Sequence, residues 1–171
     1  KGKFDQRISE AVIDNSTPWA RKHWKAIEFN YRRAPFFKEY AEPFREMYAR
    51  TWTGFCDMAC AFLEFLLRLL GLPPSFDRTS ALGVKGESTG LVLAMCRAAG
   101  ADAYLSGVHG RDYLDPAAFE REGVRLQFQE FACPEYPQCW PGPFIPNLST
   151  VDLLMNCGPQ SLKVLTGDRP A

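Results

Sequence analysis

His109, Arg111 and Asp112 fall together in the run Gly100-Ala-Asp-Ala-Tyr-Leu-Ser-Gly-Val-His-Gly-Arg-Asp-Tyr-Leu-Asp115, and they carry the chemistry this chain most plainly offers. Imidazole is the side chain most often used for proton transfer near neutral pH. The chain has two histidines. Arg111 adds a permanent charge and a planar fork of donors suited to a phosphate or carboxylate. Asp112 can orient His109 or accept from a substrate hydroxyl or amine. A surface ion pair with Arg111 is the plainer alternative. Ser106, Gly107 and Gly110 complete the set. The serine is a hydroxyl donor to a bound group or a cap for the next turn, and the glycines allow backbone N–H groups to turn toward an anion. Ser106 is not a hydrolase elbow, because Tyr104 and Val108 stand where that motif needs glycine.

The element that must position these residues is a short buried strand over 103–106 that breaks at Ser106-Gly107. In open α/β sheets ligands gather beyond the carboxyl ends of strands. A helix over 90–99, capped by Ser88 or Thr89 and closed by Gly100, precedes this strand. A helix from Pro116 to Glu122, capped by Asp115, follows it, and the alternating run 124–129 reads as a second strand. With a further strand at 76–79, the pattern predicts βαβ units and a parallel sheet. Lys85-Gly86 lacks the spacing of a phosphate-binding Walker loop.

The amino-terminal half reads as helical. Ile8 to Asp14 is a candidate edge strand. A helix from Trp19 to Arg32 or Arg33 follows, with Ser16 or Thr17 as cap, and Phe36 to Arg50 is a second helix interrupted by Pro43. Phe55 to Leu70 is apolar around most of its circumference and predicts a central helix. The first helix carries Arg21, Lys22, Lys25, Arg32 and Arg33. This is either a solvated positive face or a phosphate-facing wall that includes Arg21 and His23 as substrate contacts. A proline-rich irregular segment spans 131–146. Asn147 or Ser149 caps a last helix ending at Cys157, and residues 1–7 and 166–171 are expected to fray.

Composition narrows the function. The 171 residues carry 20 basic and 20 acidic side chains, so no net charge draws the chain to nucleic acid or an anionic membrane. No apolar run approaches the roughly 20 residues of a membrane span. The six cysteines are read as reduced thiols of a cytoplasmic protein. Cys56 and Cys60 lie one turn apart with no second pair beside them. Cys133 and Cys139 do not have zinc-knuckle spacing, although a metal or redox site there is a weaker alternative. No metal site is assigned and no cofactor is indicated.

Several motifs resemble the WbqC-like protein family. These are Trp19-Ala-Arg-Lys-His23, Asn30-Tyr31, Ala34-Pro-Phe-Phe37, Ser80-Ala-Leu-Gly83, Ala101-Asp-Ala-Tyr-Leu-Ser-Gly107, Tyr113-Leu-Asp115, Pro146-Asn-Leu-Ser149, Asp152-Leu-Leu154 and Asn156-Cys-Gly158. They occur in family order from about Ile8 to Gly167. The resemblance implies a bacterial or archaeal protein from a family often encoded among genes for O-antigen and other surface polysaccharides, with its biochemical activity largely unassigned. A His-Gln-Pro segment typical of the family would precede Lys1. It looks like the first strand and loop of a nucleotide-binding α/β fold, so residues 1–171 are expected to form a single domain lacking that segment. Trp140-Pro-Gly-Pro-Phe144 departs from the family pattern. The expected fold is α/β, a small parallel sheet flanked by helices, Rossmann-like or nucleotidyltransferase-like, with a mainly helical amino-terminal half. The expected function is a transferase acting on a nucleotide sugar or a sugar-linked acyl or aminoacyl group. The alternative is a non-catalytic binding or assembly module of the same pathway.

Overall fold

A computed structural model describes residues 6–167. The expected fraying ends lie largely outside this range. The chain divides into two compact units, one formed by 1–74 with 133–171 and the other by 75–132.

The first unit is helical. It contains α1 (Trp19–Tyr31), α2 (Phe37–Ala49) and α3 (Phe55–Leu69), then α6 (Thr150–Cys157) and α7 (Ser161–Thr166) after the second unit. Its core gathers Ala34, Tyr40, Phe44, Leu154 and Met155, with Phe65, Leu66 and Leu69 of α3 packed against them. Pro43 is accommodated inside α2. α3 packs on the core, as a central helix should, but is less buried than its composition suggests. None of its residues is fully buried, and Phe55 and Leu63 are exposed. One side serves the core, while another lines a cleft described below. The expected edge strand at 8–14 is a short 3₁₀ turn over Ile8–Glu10 followed by a single antiparallel bridge from Val12 to Gly54. The cap of α1 also differs: Pro18 occupies that position without a side-chain hydrogen bond, while Ser16 is engaged with Asp14. Ser149 caps α6 as expected, accepting from the Val151 N–H.

The second unit holds α4 (Ser88–Ala99), β1 (Ala103–Ser106), α5 (Pro116–Arg121) and β2 (Arg125–Phe128). β1 and β2 pair in parallel, from Ala103 opposite Arg125 to Ser106 opposite Phe128. The connection between them contains α5, the crossover that a parallel pair requires. Asp115 caps α5 by accepting from the Ala117 N–H. Val92, Leu93, Cys96, Leu114, Phe119 and Val124 form a separate core, with Tyr104, Leu126 and Phe128 against it. The strand expected at 76–79 is absent: this stretch is irregular and ends in a turn, so the sheet has two strands. Pro73 and Pro74, just upstream, have no N–H to lend to a ladder. Neither expected cap of α4 acts as one. Thr89 Oγ1 instead accepts from the Asp115 N–H, and the Ser88 hydroxyl donates to the Tyr113 carbonyl. The two hydroxyls tie the start of α4 to the loop after β1.

Among the described residues no helix is long and apolar enough to cross a membrane.

Candidate functional site

The loop after β1 is a 3₁₀ turn over Val108–Asp112. His109 Nδ1 lies 3.4 Å from Asp112 Oδ2, so the carboxylate can orient the ring, and both side chains are strongly exposed, the imidazole at 92%. Arg111 does not pair with Asp112. Its guanidinium meets Glu130 at 3.2 Å and lies 4.3 Å over the Phe128 ring, which holds the fork flat at the carboxyl end of β2. An anion bound there would displace Glu130 from Arg111. The smaller residues shape the loop. The Gly110 N–H donates to the Gly107 carbonyl, as does the buried Ser106 hydroxyl, at 3.0 and 3.1 Å. A Cβ on Gly110 would lie 1.9 Å from Ser106 Oγ, so glycine is needed for close approach. Gly107 has open space around it and an ordinary φ of −64°.

Arg21 and His23 belong to the helical unit, where they line two cavities. The first encloses about 390 Å³ between α1 and α2, and its walls include Asn15, Trp19, Arg21, Trp24, Arg45 and Tyr48. Asn15 fixes the indole: its Oδ1 accepts from Trp19 Nε1 at 3.0 Å while its Nδ2 donates to the Trp52 carbonyl. Trp24 stacks on Phe37 at 6.3 Å. Arg45 is shared with Glu42 across one helical turn. Among the described residues no carboxylate pairs with Arg21, and the Tyr48 hydroxyl has no hydrogen-bond partner. Burial raises the Tyr48 phenol above its ordinary pKa, which keeps it a neutral donor. The second cavity, about 380 Å³, is lined by Val12, Trp19, His23, Tyr48, Phe55, Met58, Ala59 and Phe62 among others. Trp19, His23 and Tyr48 meet edge to face, with centroids 5.6 to 6.4 Å apart, so the same rings bound both cavities. An aromatic wall beside an unpaired guanidinium suits a ligand with a flat or ring-bearing portion and an anionic group.

Sequence reasoning missed a third feature, the buried carboxylate of Asp152. It is 3% exposed and accepts from the Tyr136 hydroxyl at 2.8 Å and from Gln138 Nε2 at 3.2 Å. Gln138 also exchanges two hydrogen bonds with the Ile145 backbone, which pins the irregular segment 133–147 to α6. Asn156, one turn on, donates to the Asp152 carbonyl, and its buried Oδ1 has no partner. Burial, with the Asp152 charge beside it, pushes the Tyr31 phenol up to about 12 and raises the Cys139 and Cys157 thiols. These thiols are therefore poor nucleophiles. A signal was available: Asp152 and Asn156 are the polar pair, four residues apart, in an otherwise apolar helix. All six cysteines are free, and no group of three metal-ligating side chains occurs among the described residues.

Comparison with known proteins agrees with the motifs. The chain is 31% identical over 163 residues to the uncharacterized protein Rv1507c of Mycobacterium tuberculosis, covering 94% of this chain and 70% of that protein. No solved structure matches it. The sequence profile of the WbqC-like protein family matches residues 1–164. With the order of its motifs and this relative along nearly its whole length, the chain belongs to the WbqC-like protein family.

Proposed function

We propose that this protein is a transferase-type enzyme of surface-polysaccharide (O-antigen) synthesis whose substrate is a nucleotide sugar or a sugar-linked acyl or aminoacyl group. The observation that carries this reading is the cavity bounded by Arg21, Trp19 and Tyr48. It offers an aromatic face, a hydroxyl without a partner and a guanidinium without a carboxylate, the three kinds of group that hold a sugar or base, a sugar hydroxyl and a phosphate. In this reading residues 1–171 act as one WbqC-like domain of Rossmann-like or nucleotidyltransferase-like kind. Within the second unit, taken by itself, His109, oriented by Asp112, serves as the proton-transfer group of the loop after β1, and Arg111 balances charge there. Ser106, Gly107 and Gly110 hold the loop in shape, and the protein works in the cytoplasm. The test is titration calorimetry with a panel of nucleotide sugars. Wild type binds at least one of them, and Arg21→Ala weakens it roughly ten- to a hundredfold, the value of a hydrogen bond to a charged group. Binding untouched by Arg21→Ala would end the reading.

A second reading, a binding or assembly module without turnover, is favoured by the exposure of His109 and by the existing partners of Arg111. His109→Ala and Arg111→Ala separate the two. Loss of turnover with binding retained supports the enzyme, and unchanged turnover and binding in both variants removes the loop from the chemistry.

A further inference from the structure

The cavity holding Arg21 does not stand alone. Trp19 and Tyr48 line both it and the second cavity, so the two adjoin across one pair of rings. Their linings differ in character. The first carries the Arg21 and Arg45 guanidiniums with Asn15 and Thr17. The second is walled by Ala11, Val12, Ile13, Phe55, Met58 and Phe62, and it carries no Asp, Glu, Lys or Arg, only His23 and Tyr48 as polar side chains beside Trp19. Val12 and Phe55 remain exposed at 72% and 43%, although each is apolar enough to be buried. They are held in this position: the Ile13 N–H donates to the Thr53 carbonyl and the Phe55 N–H to the Ala11 carbonyl, which clips segment 11–13 against the start of α3. His23 stands at the junction, its ring against Trp19 and Tyr48, and its nitrogens have no hydrogen-bond partner among the described residues.

From this juxtaposition we infer that the ligand of this site is an amphiphile: a phosphate ester whose charged head lies against Arg21 and Arg45 and whose apolar chain fills the cleft between segment 11–13 and α3. The inference rests on the reading of the Arg21 cavity as the anion site and adds the substrate class. Charge complementarity selects the head, since the Arg21 guanidinium, which no carboxylate pairs among the described residues, favours a phosphate over a neutral sugar, while Arg45 is held by Glu42. The lining selects the tail, since each methylene moved from water into such a cleft adds to affinity while a sugar hydroxyl there would lose its water partners. Each cleft is of ligand size, within the range of about 300–1,000 Å³ found for small-molecule sites. His23 lines the tail cleft, packed against the two rings that bound both cavities. A transferase with such a site takes its sugar, acyl or aminoacyl acceptor or donor on a lipid phosphate.

The experiment is calorimetry on the full chain in detergent-free buffer, with farnesyl phosphate, methyl phosphate, farnesol and UDP-N-acetylglucosamine as probes. The expected result is farnesyl phosphate binding at least about tenfold tighter than either methyl phosphate or farnesol. Ala59→Trp, which fills the cleft, and Val12→Asp, which places a charge on its lip, abolish that advantage and leave the nucleotide sugar unaffected. Arg21→Ala weakens both ligands. Circular dichroism confirms that the variants fold. Farnesyl phosphate no tighter than methyl phosphate overturns the inference and, if the nucleotide sugar still binds, leaves the anion site standing. Farnesol as tight as farnesyl phosphate also overturns it, reducing the cleft to a bare apolar patch. A concentration-dependent dimer abolished by Ala59→Trp overturns it as well, because a second copy then covers the cleft. Binding of farnesyl phosphate with no response to Arg21→Ala sinks the anion-site reading and this inference together.

Discussion

Removing one hydroxyl from Tyr136 tests whether the buried Asp152 carboxylate organises the helical unit. The phenol donates to Asp152 Oδ2 at 2.8 Å and Gln138 Nε2 donates to the same oxygen at 3.2 Å, with the Tyr31 phenol also hydrogen-bonded to the carboxylate. Tyr136→Phe keeps the ring and its edge-to-face contact with Phe144 at 5.2 Å, so packing is preserved and the hydrogen bond is the principal loss. A hydrogen bond to a charged group contributes about 1.5–3 kcal/mol. For a chain of this length one kcal/mol moves the melting temperature by about 2–4 °C, so Tyr136→Phe should lower Tm by roughly 3–12 °C. The assay is thermal unfolding followed by circular dichroism at neutral pH. Asp152→Asn and the double variant complete the cycle, and the two residues should couple by at least about 1 kcal/mol. A Tm change below about 1 °C, or strictly additive effects, would refute the argument and leave Asp152 as a residue whose burial has no structural purpose.

Three further outcomes follow from the geometry. Gly110→Ala forces a methyl group onto Ser106 Oγ and should cost about 1–3 kcal/mol, whereas Gly107→Ala, with open space around it, should be nearly neutral; chemical denaturation of the two variants checks the contrast. Tyr31 is pushed up to about 12, chiefly by burial and then by the Asp152 charge, so it binds its proton more tightly in the folded than in the unfolded chain. Its contribution to stability is present below about pH 10 and is lost as pH rises toward about 12, and Tyr31→Phe should flatten that part of a pH–stability profile measured by urea unfolding. Cys96 and Cys157 are buried with raised thiol pKa values, so mass spectrometry of iodoacetamide-treated protein should show them alkylated at least about tenfold more slowly in the native than in the urea-unfolded chain.

Where local rules dominate, the fold was readable from residues alone. Pro18, Ala34-Pro35, Gly71 and Gly100 punctuate the chain, and α1, α2, α3 and α4 begin and end within two residues of the places these signals indicate. Asp115 and Ser149 cap the helices they were expected to cap. Tertiary context explains most of the departures. Ser88 and Thr89 have the right chemistry for a cap, but the loop after β1 supplies backbone partners for both hydroxyls. Phe76 to Thr79 has strand-like composition and no neighbour in the sheet to pair with. α3 is apolar on several sides because it serves a core on one and a cleft on another, which composition does not distinguish. The residues around Arg21 divided similarly. The packing of His23 on Trp19 follows from a spacing of four along one helix, a local relation. Arg45 and Tyr48 come from α2, and only the crossing of two helices brings them to the same cavity. Tyr136, Gln138 and Asp152 meet across an irregular segment with no periodicity to read.

The central claim, that the cavity between α1 and α2 receives the substrate, is tested most directly by the indole N–H resonances of the four tryptophans in ¹⁵N-labelled protein. The resonances are assigned by single Trp→Phe variants and titrated with UDP-N-acetylglucosamine and farnesyl phosphate. The account predicts saturable shifts at Trp19 and Trp24, which line the cavity, little change at Trp140, and loss of the response in Arg21→Ala. Shifts confined to Trp140, or no saturable shift at Trp19 with either ligand, would contradict it.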